Sequence, residues 1–390
     1  MRYTFADGIG WLTGGLGYAL PFLFVLGIVV FFHELGHFLM ARWCGIRVLV
    51  FSLGFGPELI GFDDRHGTRW KVSAIPLGGY VKFFGDESAA STPDTAALAS
   101  LSEAERGQSF HHKNVGSRAA VVAAGPIANF ILAIVIFAAI FSLYGKATSL
   151  APRVGAVNPG SAAAAAGFRP GDLVIAIDGR PIDSFEDMSK LVSNSVDRQL
   201  EVTINRGAER VTLKATPAAD KDEAGHKVGR LGIVASQNPD DVRREKFDLL
   251  TGVKLGVQET WGIIDKTLSF VWGLIRGNGG ADQLGGPVRI AQISGEVWKM
   301  GLDNGGVGVA LVWLFNLAAL ISVSIGLLNL FPVPLLDGGH LLFYAIEVVR
   351  GRPLSDYAQE IGFRIGLALV VMLMIFATRN DFLHVFHWRG

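Results

Sequence analysis

Residues 31–40 read FFHELGHFLM, and they close an apolar run that begins near Gly8. Two imidazoles and a carboxylate therefore stand at the end of a segment greasy enough for lipid. On a helix, residues four apart share a face, so His33 and His37 project side by side, with Glu34 about 100° round from His33. A chance match, or histidines bonded to neighbouring helices, is the plain alternative to a functional pair. Within a hydrocarbon layer that alternative is weak, because ionisable side chains there are costly and are kept for function. The spacing is the HExxH arrangement of zinc hydrolases, in which two histidines hold the metal and the glutamate reaches the attacking water.

Composition agrees with a lipid setting. Half of the 390 residues are apolar and 18% are charged, and mean hydropathy is +0.38, above the range of ordinary soluble domains. The length holds a membrane bundle and one soluble domain. Lys and Arg together number 35, as do Asp and Glu, so no global charge points to nucleic acid. A single cysteine, Cys44, excludes internal disulfides and multi-cysteine zinc sites, leaving His, Asp and Glu as metal ligands.

A bilayer needs about 20 consecutive apolar residues. Residues 8–32, 119–143 and 305–336 contain no charge and are long enough; residues 365–378, between Arg364 and Arg379, span only if those arginines snorkel. The first run is expected to be a retained helix and not a signal peptide, since Arg2 is its only early basic residue and no small-residue cleavage site precedes His33. Arg42, Arg47, Lys113 and Arg118 flank the loop between the first two spans, and Arg350, Arg352 and Arg364 lie between the last two. Both loops are thus expected in the cytoplasm, with residues from about Tyr144 to Asn304 outside and His33 and His37 toward the cytoplasmic end of their span.

A catalytic zinc takes three protein ligands and leaves one position open. Glu58 lies at a plausible distance downstream, although the HxxGxxH continuation is absent. Asp337 is the stronger candidate, in NLFPVPLLDGGH at residues 329–340. Pro332 and Pro334 break the helix there, and Gly338 and Gly339 permit close backbone approach, so Asp337 can turn inward at membrane depth. Alone, such an aspartate reads as a helix cap. Asn129 and Asn329 are neutral donors in apolar surroundings, suited to an oxyanion or a substrate backbone. The plain reading of Asn129 is a hydrogen bond between helices, with Gly125 allowing them close. His340 reads as a structural neighbour of Asp337.

HELGH, AGPIAN at residues 124–129 and NLFPVPLLDGG at residues 329–339 match, in order and spacing, the HExxH, GPxxN and NxxPxPxLDG motifs of one family. Along its whole length the chain resembles the site-2 protease family of intramembrane zinc metalloproteases, in particular the bacterial RseP type. The resemblance implies a polytopic α-helical membrane protein with four transmembrane helices, one zinc ion held by His33, His37 and Asp337, and Glu34 as catalytic acid and base. It also implies a bacterial cytoplasmic (inner) membrane location. The expected substrates are single-span membrane proteins already trimmed by a site-1 protease, such as an anti-sigma factor, or remnant signal peptides.

A transmembrane substrate arrives as a helix whose amides are already paired, so the enzyme must supply other partners. RWKVSAIPLGGYVKFFG at residues 69–85 reads as a β hairpin around a Pro-Leu-Gly-Gly turn. The resemblance implies a membrane-associated clamp that holds the extended substrate by strand addition. Residues 51–57 are glycine-broken and expected to dip into the bilayer, and residues 87–108 read as a mobile loop. Further on, VGAVNPGSAAAAAGFRPGDLVIAIDG at residues 154–179 resembles a PDZ domain, with strands at 200–205 and 209–215. Arg230, Leu231, Gly232 and Ile233 fit the peptide loop of a circularly permuted version. The best-known enterobacterial relative carries two such domains and this chain has room for one, which is expected to exclude bulky ectodomains or to grip chain ends. Residues 242–276 read as amphipathic helices on the outer membrane surface, and residues 284–287 as a break before another.

The expected organisation is a membrane core at 1–147, a periplasmic PDZ domain at 148–237, outer amphipathic helices at 238–304, and a second membrane core at 305–390. Two other classes fit less well. A proteolytically silent scaffold would not need Glu34, and a metal transporter would line a path with polar residues instead of gathering them at one place.

Overall fold

The computed structural model describes residues 5–86, 100–221, 227–236, 238–277 and 285–387. Most of the expected mobile loop, 87–99, lies outside them, as does Leu284. The chain divides into two compact units, Met1–Ala139 with Leu250–Gly390, and Ile140–Leu249.

The first unit opens with α1, Phe5–Trp43, a continuous helix that carries the HELGH residues on its last third. Strands β1, Val48–Asp63, and β2, Arg69–Phe83, follow. They differ from the expected hairpin within residues 69–85. The reversal lies at residues 64–68, and both strands bend in their middles, so Val50 pairs with both Arg69 and Lys82, Phe51 with both Trp70 and Val81, and Asp63 with Arg69. Residues 50–53 therefore lie between the two halves of β2, and residues 79–83 form an outer edge. The Pro-Leu-Gly-Gly stretch is a bend joining two halves that do not pair with each other, because 50–53 occupies the place between them. Residues 51–57, expected to dip into the bilayer, belong to β1, with Phe51 and Ser52 buried. Phe51, Val81 and Phe83 pack with Phe38 of α1 and with Val121 and Val122 of α2, Val115–Leu143.

Helices α1 and α2 meet backbone to backbone. A Cβ on Gly36 would overlap the Ala124 carbonyl oxygen, and one on Gly125 would overlap the His37 ring. Small residues at such a crossing let two apolar helices pack without a hydrophobic driving force.

The second unit comprises β3 (Lys146–Leu150), β4 (Val154–Val157), α3 (Ala162–Ala166), β5 (Leu173–Ile177), β6 (Arg180–Pro181), α4 (Phe185–Ser193), β7 (Leu200–Arg206), β8 (Glu209–Ala215), β9 (Ala218–Lys221), β10 (Lys227–Arg230), β11 (Ile233–Ala235) and β12 (Val242–Glu245). An antiparallel sheet of order β6-β5-β7-β8 carries its core, and β3 pairs with β12 and β4 with β11. Leu200, Val202 and Ile204 alternate inward with Val174 and Ile177, as a half-buried sheet requires. The expected strands at 200–205 and 209–215 are both present. Asp172 accepts two hydrogen bonds from Arg206, each 2.8 Å, and one from the Arg169 amide. Burial alone would raise its carboxyl, but these bonds outweigh it and hold the group below its ordinary range.

The chain returns to the first unit with α5 (Leu249–Ile275), α6 (Pro287–Asn329), α7 (Asp337–Arg350) and α8 (Asp356–His387). The helix expected from residue 242 starts only at Leu249, since Val242–Glu245 finds backbone partners in β3. Helix α6 breaks at Gly305 and Gly306, where the third apolar run begins, and ends at Asn329 before Pro332 and Pro334. Phe24 and Phe315 join α1 to α6 edge to face at 5.5 Å. Asp381 of α8, almost fully buried, caps the start of α6 from across the fold by accepting from the amides of Gly286 (2.8 Å), Val288 (3.1 Å) and Arg289 (3.1 Å). A Cβ on Gly286 would come within 2.7 Å of that carboxylate.

Leu16–Trp43, Val115–Leu143, Pro287–Asn329 and Tyr357–Asp381 are long and apolar enough to cross a membrane. Leu367, Met372 and Ile375 of the last are exposed in the chain itself. An apolar face of that kind is compatible with lipid and unfavourable in water. These long apolar helices fit a polytopic α-helical membrane protein.

Candidate metal centre

Helix α1 supplies the first part of the site. The helical repeat places His33 and His37 one turn apart, with Nε2 atoms 3.3 Å from each other. His37 donates from Nδ1 to the Val121 carbonyl of α2 at 2.8 Å, which leaves Nε2 as the nitrogen that faces the centre.

The second part comes from the loop after α6. Leu335 adopts φ +101°, a left-handed backbone that a branched side chain rarely occupies and that costs roughly 1–3 kcal/mol. The loop is held in that shape by close packing against three glycines. A Cβ on Gly338 would overlap the Phe331 carbonyl, one on Gly339 the Val333 carbonyl, and one on Gly366 of α8 the Pro334 carbonyl. So constrained, α7 begins at Asp337 and directs that carboxylate back to α1. Leu336, not Asp337, occupies the cap position.

Asp337 Oδ2 lies 3.2 Å from His33 Nε2 and 3.6 Å from His37 Nε2. A tetrahedral ion with bonds of about 2.0–2.1 Å has ligand-to-ligand edges of about 3.3–3.4 Å. The three separations match those edges. Asp337 Oδ2 is buried and makes no hydrogen bond, and it converges with the two imidazole nitrogens on one point. A cation there would satisfy them together, and the donor set of two imidazoles and a carboxylate suits zinc. Glu58, the alternative third ligand, is elsewhere. It pairs with Ser73 and forms an ion pair with Arg69 on the outer part of the sheet.

Glu34 is 9% exposed and opens onto the same chamber, a cavity of about 220 Å³. Residues 79–83 form one of its walls. Gly79 backs directly onto Glu34, since a Cβ there would come within 2.9 Å of Glu34 Cγ. Asn329 is half-buried with Nδ2 3.4 Å from His33 Nε2. Asn129 is fully buried and sits behind the ring, its Nδ2 3.3 Å from His33 Nδ1. His340 lines the chamber without joining the three converging groups, and its ring lies against Phe363 at 5.4 Å.

In the second unit, Arg230, Leu231, Gly232 and Ile233 line one side of a groove of about 500 Å³, opposite Phe185, Met188 and Val192. Leu231 and Gly232 spend their carbonyls on the amides of Ala163 (2.8 Å) and Asn158 (2.9 Å).

Sequence reading missed the Val121 carbonyl, Gly79, Leu335 and Gly366. Gly79 had a visible signal in the Gly-Gly pair beside β residues. Gly366 had none, because its partner is a carbonyl more than thirty positions away.

The model of Peptidase family M50 matches residues 21–373. A protein of Agrobacterium fabrum that carries a zinc metalloprotease name is 50% identical over 382 residues, 97% of this chain and 98% of its own length. One of Rhizobium meliloti, similarly named, is 50% identical over 375 residues, 95% and 98%. Metalloprotease MmpA of Caulobacter vibrioides is 42% identical over 388 residues, 95% and 96%. A crystal structure of a PDZ domain from Listeria monocytogenes covers 23% of this chain and 90% of its own at 20% identity, with a TM-score of 0.19, too low to bear on the fold. With a family model over most of its length and near-complete alignment to these relatives, the chain belongs to peptidase family M50, the zinc metalloproteases of site-2 type.

Proposed function

We propose that the chain is an intramembrane endopeptidase that cuts the transmembrane segments of single-span proteins, with one zinc ion on His33, His37 and Asp337. The observation that carries this reading is the convergence of three ligand atoms, two imidazole nitrogens and a carboxylate oxygen, beside Glu34 in a chamber among lipid-compatible helices.

When bound, zinc would acidify a water and polarise the scissile carbonyl. Glu34 takes the proton of the attacking water as the new C–O bond forms, and returns it to the leaving nitrogen as the C–N bond breaks. The Asn329 amide is the neutral donor suited to the oxygen on which charge develops. The edge at 79–83 gives an unwound substrate backbone new hydrogen-bond partners by strand addition, and Gly79 lets that edge run close to Glu34.

The Lys and Arg distribution supports a cytoplasmic placement of the site and a periplasmic placement of residues 148–237 in a bacterial inner membrane. The groove beside Arg230, Leu231, Gly232 and Ile233 supports a PDZ role in which a filter against bulky ectodomains also takes up a chain end. The substrate class is then a membrane protein shortened by an earlier cut, such as an anti-sigma factor or a remnant signal peptide.

The test is cleavage of a tagged single-span reporter in detergent, with zinc measured alongside. Glu34→Gln is expected to keep zinc and lose cutting. Persistent cleavage by Glu34→Gln would reject Glu34 as the base.

A further inference from the structure

Both metal-facing imidazoles are backed by the same helix, but not by the same kind of group. His37 is held by a main-chain carbonyl, that of Val121. Behind His33 of α1, two turns beyond Val121 on α2, the group at its Nδ1 is the side-chain amide of Asn129 at 3.3 Å. Asn129 is fully buried, and its Oδ1 is buried without a hydrogen-bond partner.

A ligating histidine needs the proton on its far nitrogen, and that N–H needs an acceptor. For His33 to offer Nε2 toward His37 Nε2 and Asp337 Oδ2, Nδ1 must carry the proton. Asn129 supplies a side-chain acceptor beside it, for the amide's oxygen and nitrogen exchange places by a half-turn that leaves the shape of the side chain unchanged. The residue is also fixed from behind. Its backbone carbonyl accepts from Ser322 Oγ of α6 at 2.9 Å, and Gly326 of α6 leaves room for it, since a Cβ there would stand 3.1 Å from that of Asn129.

We infer that Asn129 is a positioning residue whose Oδ1 accepts the Nδ1–H of His33, locking the tautomer and ring orientation that present Nε2 to the metal. This rests on His33 being a metal ligand. It gives Asn129 a role other than contact with substrate, which its burial disfavours, and other than joining helices.

The experiment is zinc affinity by chelator competition on the full chain in detergent, for wild type, His33→Ala, Asn129→Leu and Asn129→Asp, with thermal stability of each metal-free variant. Removing an outer partner of a ligating histidine weakens binding by about 10–100-fold, and that loss is expected for Asn129→Leu. Asn129→Asp retains the acceptor and is expected to remain within about threefold of wild type. Wild-type affinity in a folded Asn129→Leu overturns the inference, as does equal loss in Asn129→Asp, which would make the amide nitrogen the functional end. Undiminished binding by His33→Ala instead overturns the metal-centre reading. If Asn129→Leu does not fold, the ¹⁵N spectrum of histidine-labelled, metal-free wild type decides, since ligation itself would impose the Nδ1–H tautomer. A protonated Nδ1 on His33 is expected, and a protonated Nε2 refutes the inference.

Discussion

Asp337 and His33 belong to opposite ends of the chain, and their Oδ2 and Nε2 atoms lie 3.2 Å apart. Neither end holds this relationship alone. It depends on the glycine crossing of α1 with α2 and on the packed loop between α6 and α7, and perturbing either should change metal binding before it changes the fold.

Gly366→Ala tests the loop. A methyl there meets the Pro334 carbonyl directly, so the loop must shift and carry Asp337 with it. Zinc affinity should drop by at least about tenfold, on the scale of lost supporting contacts at metal sites. Chelator competition measures it; wild-type affinity would show that the loop is not held by α8.

Gly79→Val separates catalysis from metal binding. The added side chain meets Glu34 Cγ and the Ser52 carbonyl, not the three ligand atoms. Displacing a catalytic group by about 1 Å costs on the order of 100-fold in rate. Zinc content should stay at the wild-type level while reporter cleavage falls by about that factor.

Asp381→Ala tests the cap across the fold. Three amides at the start of α6 lose their acceptor, and loss of a helix cap costs ~0.5–2 kcal/mol. A lower thermal midpoint in detergent is expected, with the cleavage rate per folded molecule retained.

Asp64 gives a pH signature away from the membrane helices. It accepts from the amides of Thr68 (3.0 Å) and His66 (2.8 Å), from the Trp70 indole (3.2 Å) and from Arg42 at the end of α1 (2.5 Å). Burial works against ionisation, but these bonds prevail and hold its pKa at about 2, below the ordinary 3.8. Because the folded value is depressed, its stabilisation is complete above pH 3.8 and is lost as pH falls toward 2. Asp64→Asn should flatten the dependence of stability on pH across that window, measured by denaturation at fixed detergent.

The parts of the site legible in the sequence were those whose geometry is local. The helical repeat fixes His33, Glu34 and His37 relative to one another without any tertiary information, and the proline-glycine loop announced that Asp337 could leave a helix. The alternation at Leu200, Val202 and Ile204 made the sheet of the second unit readable in the same way. Pairing order was not legible. The residues of β1 and β2 carry strand propensity throughout, and nothing in their types states that 50–53 would insert between the halves of β2 and turn an expected hairpin into a four-strand layer. Close approaches were equally hidden. Gly36, Gly79 and Gly366 matter because of what they touch, and Asp381 reads as an ordinary charge near a helix end until the start of α6 is brought beside it.

The central claim is that His33, His37 and Asp337 together bind one zinc ion. X-ray absorption at the zinc edge of the purified protein tests it most directly, alongside Asp337→Asn and Glu58→Gln. Wild type and Glu58→Gln should both show two imidazole nitrogens and a carboxylate oxygen at about 2.0–2.2 Å, and Asp337→Asn should lose the metal or that oxygen. An unchanged spectrum in Asp337→Asn, with the change appearing in Glu58→Gln, would contradict the assignment.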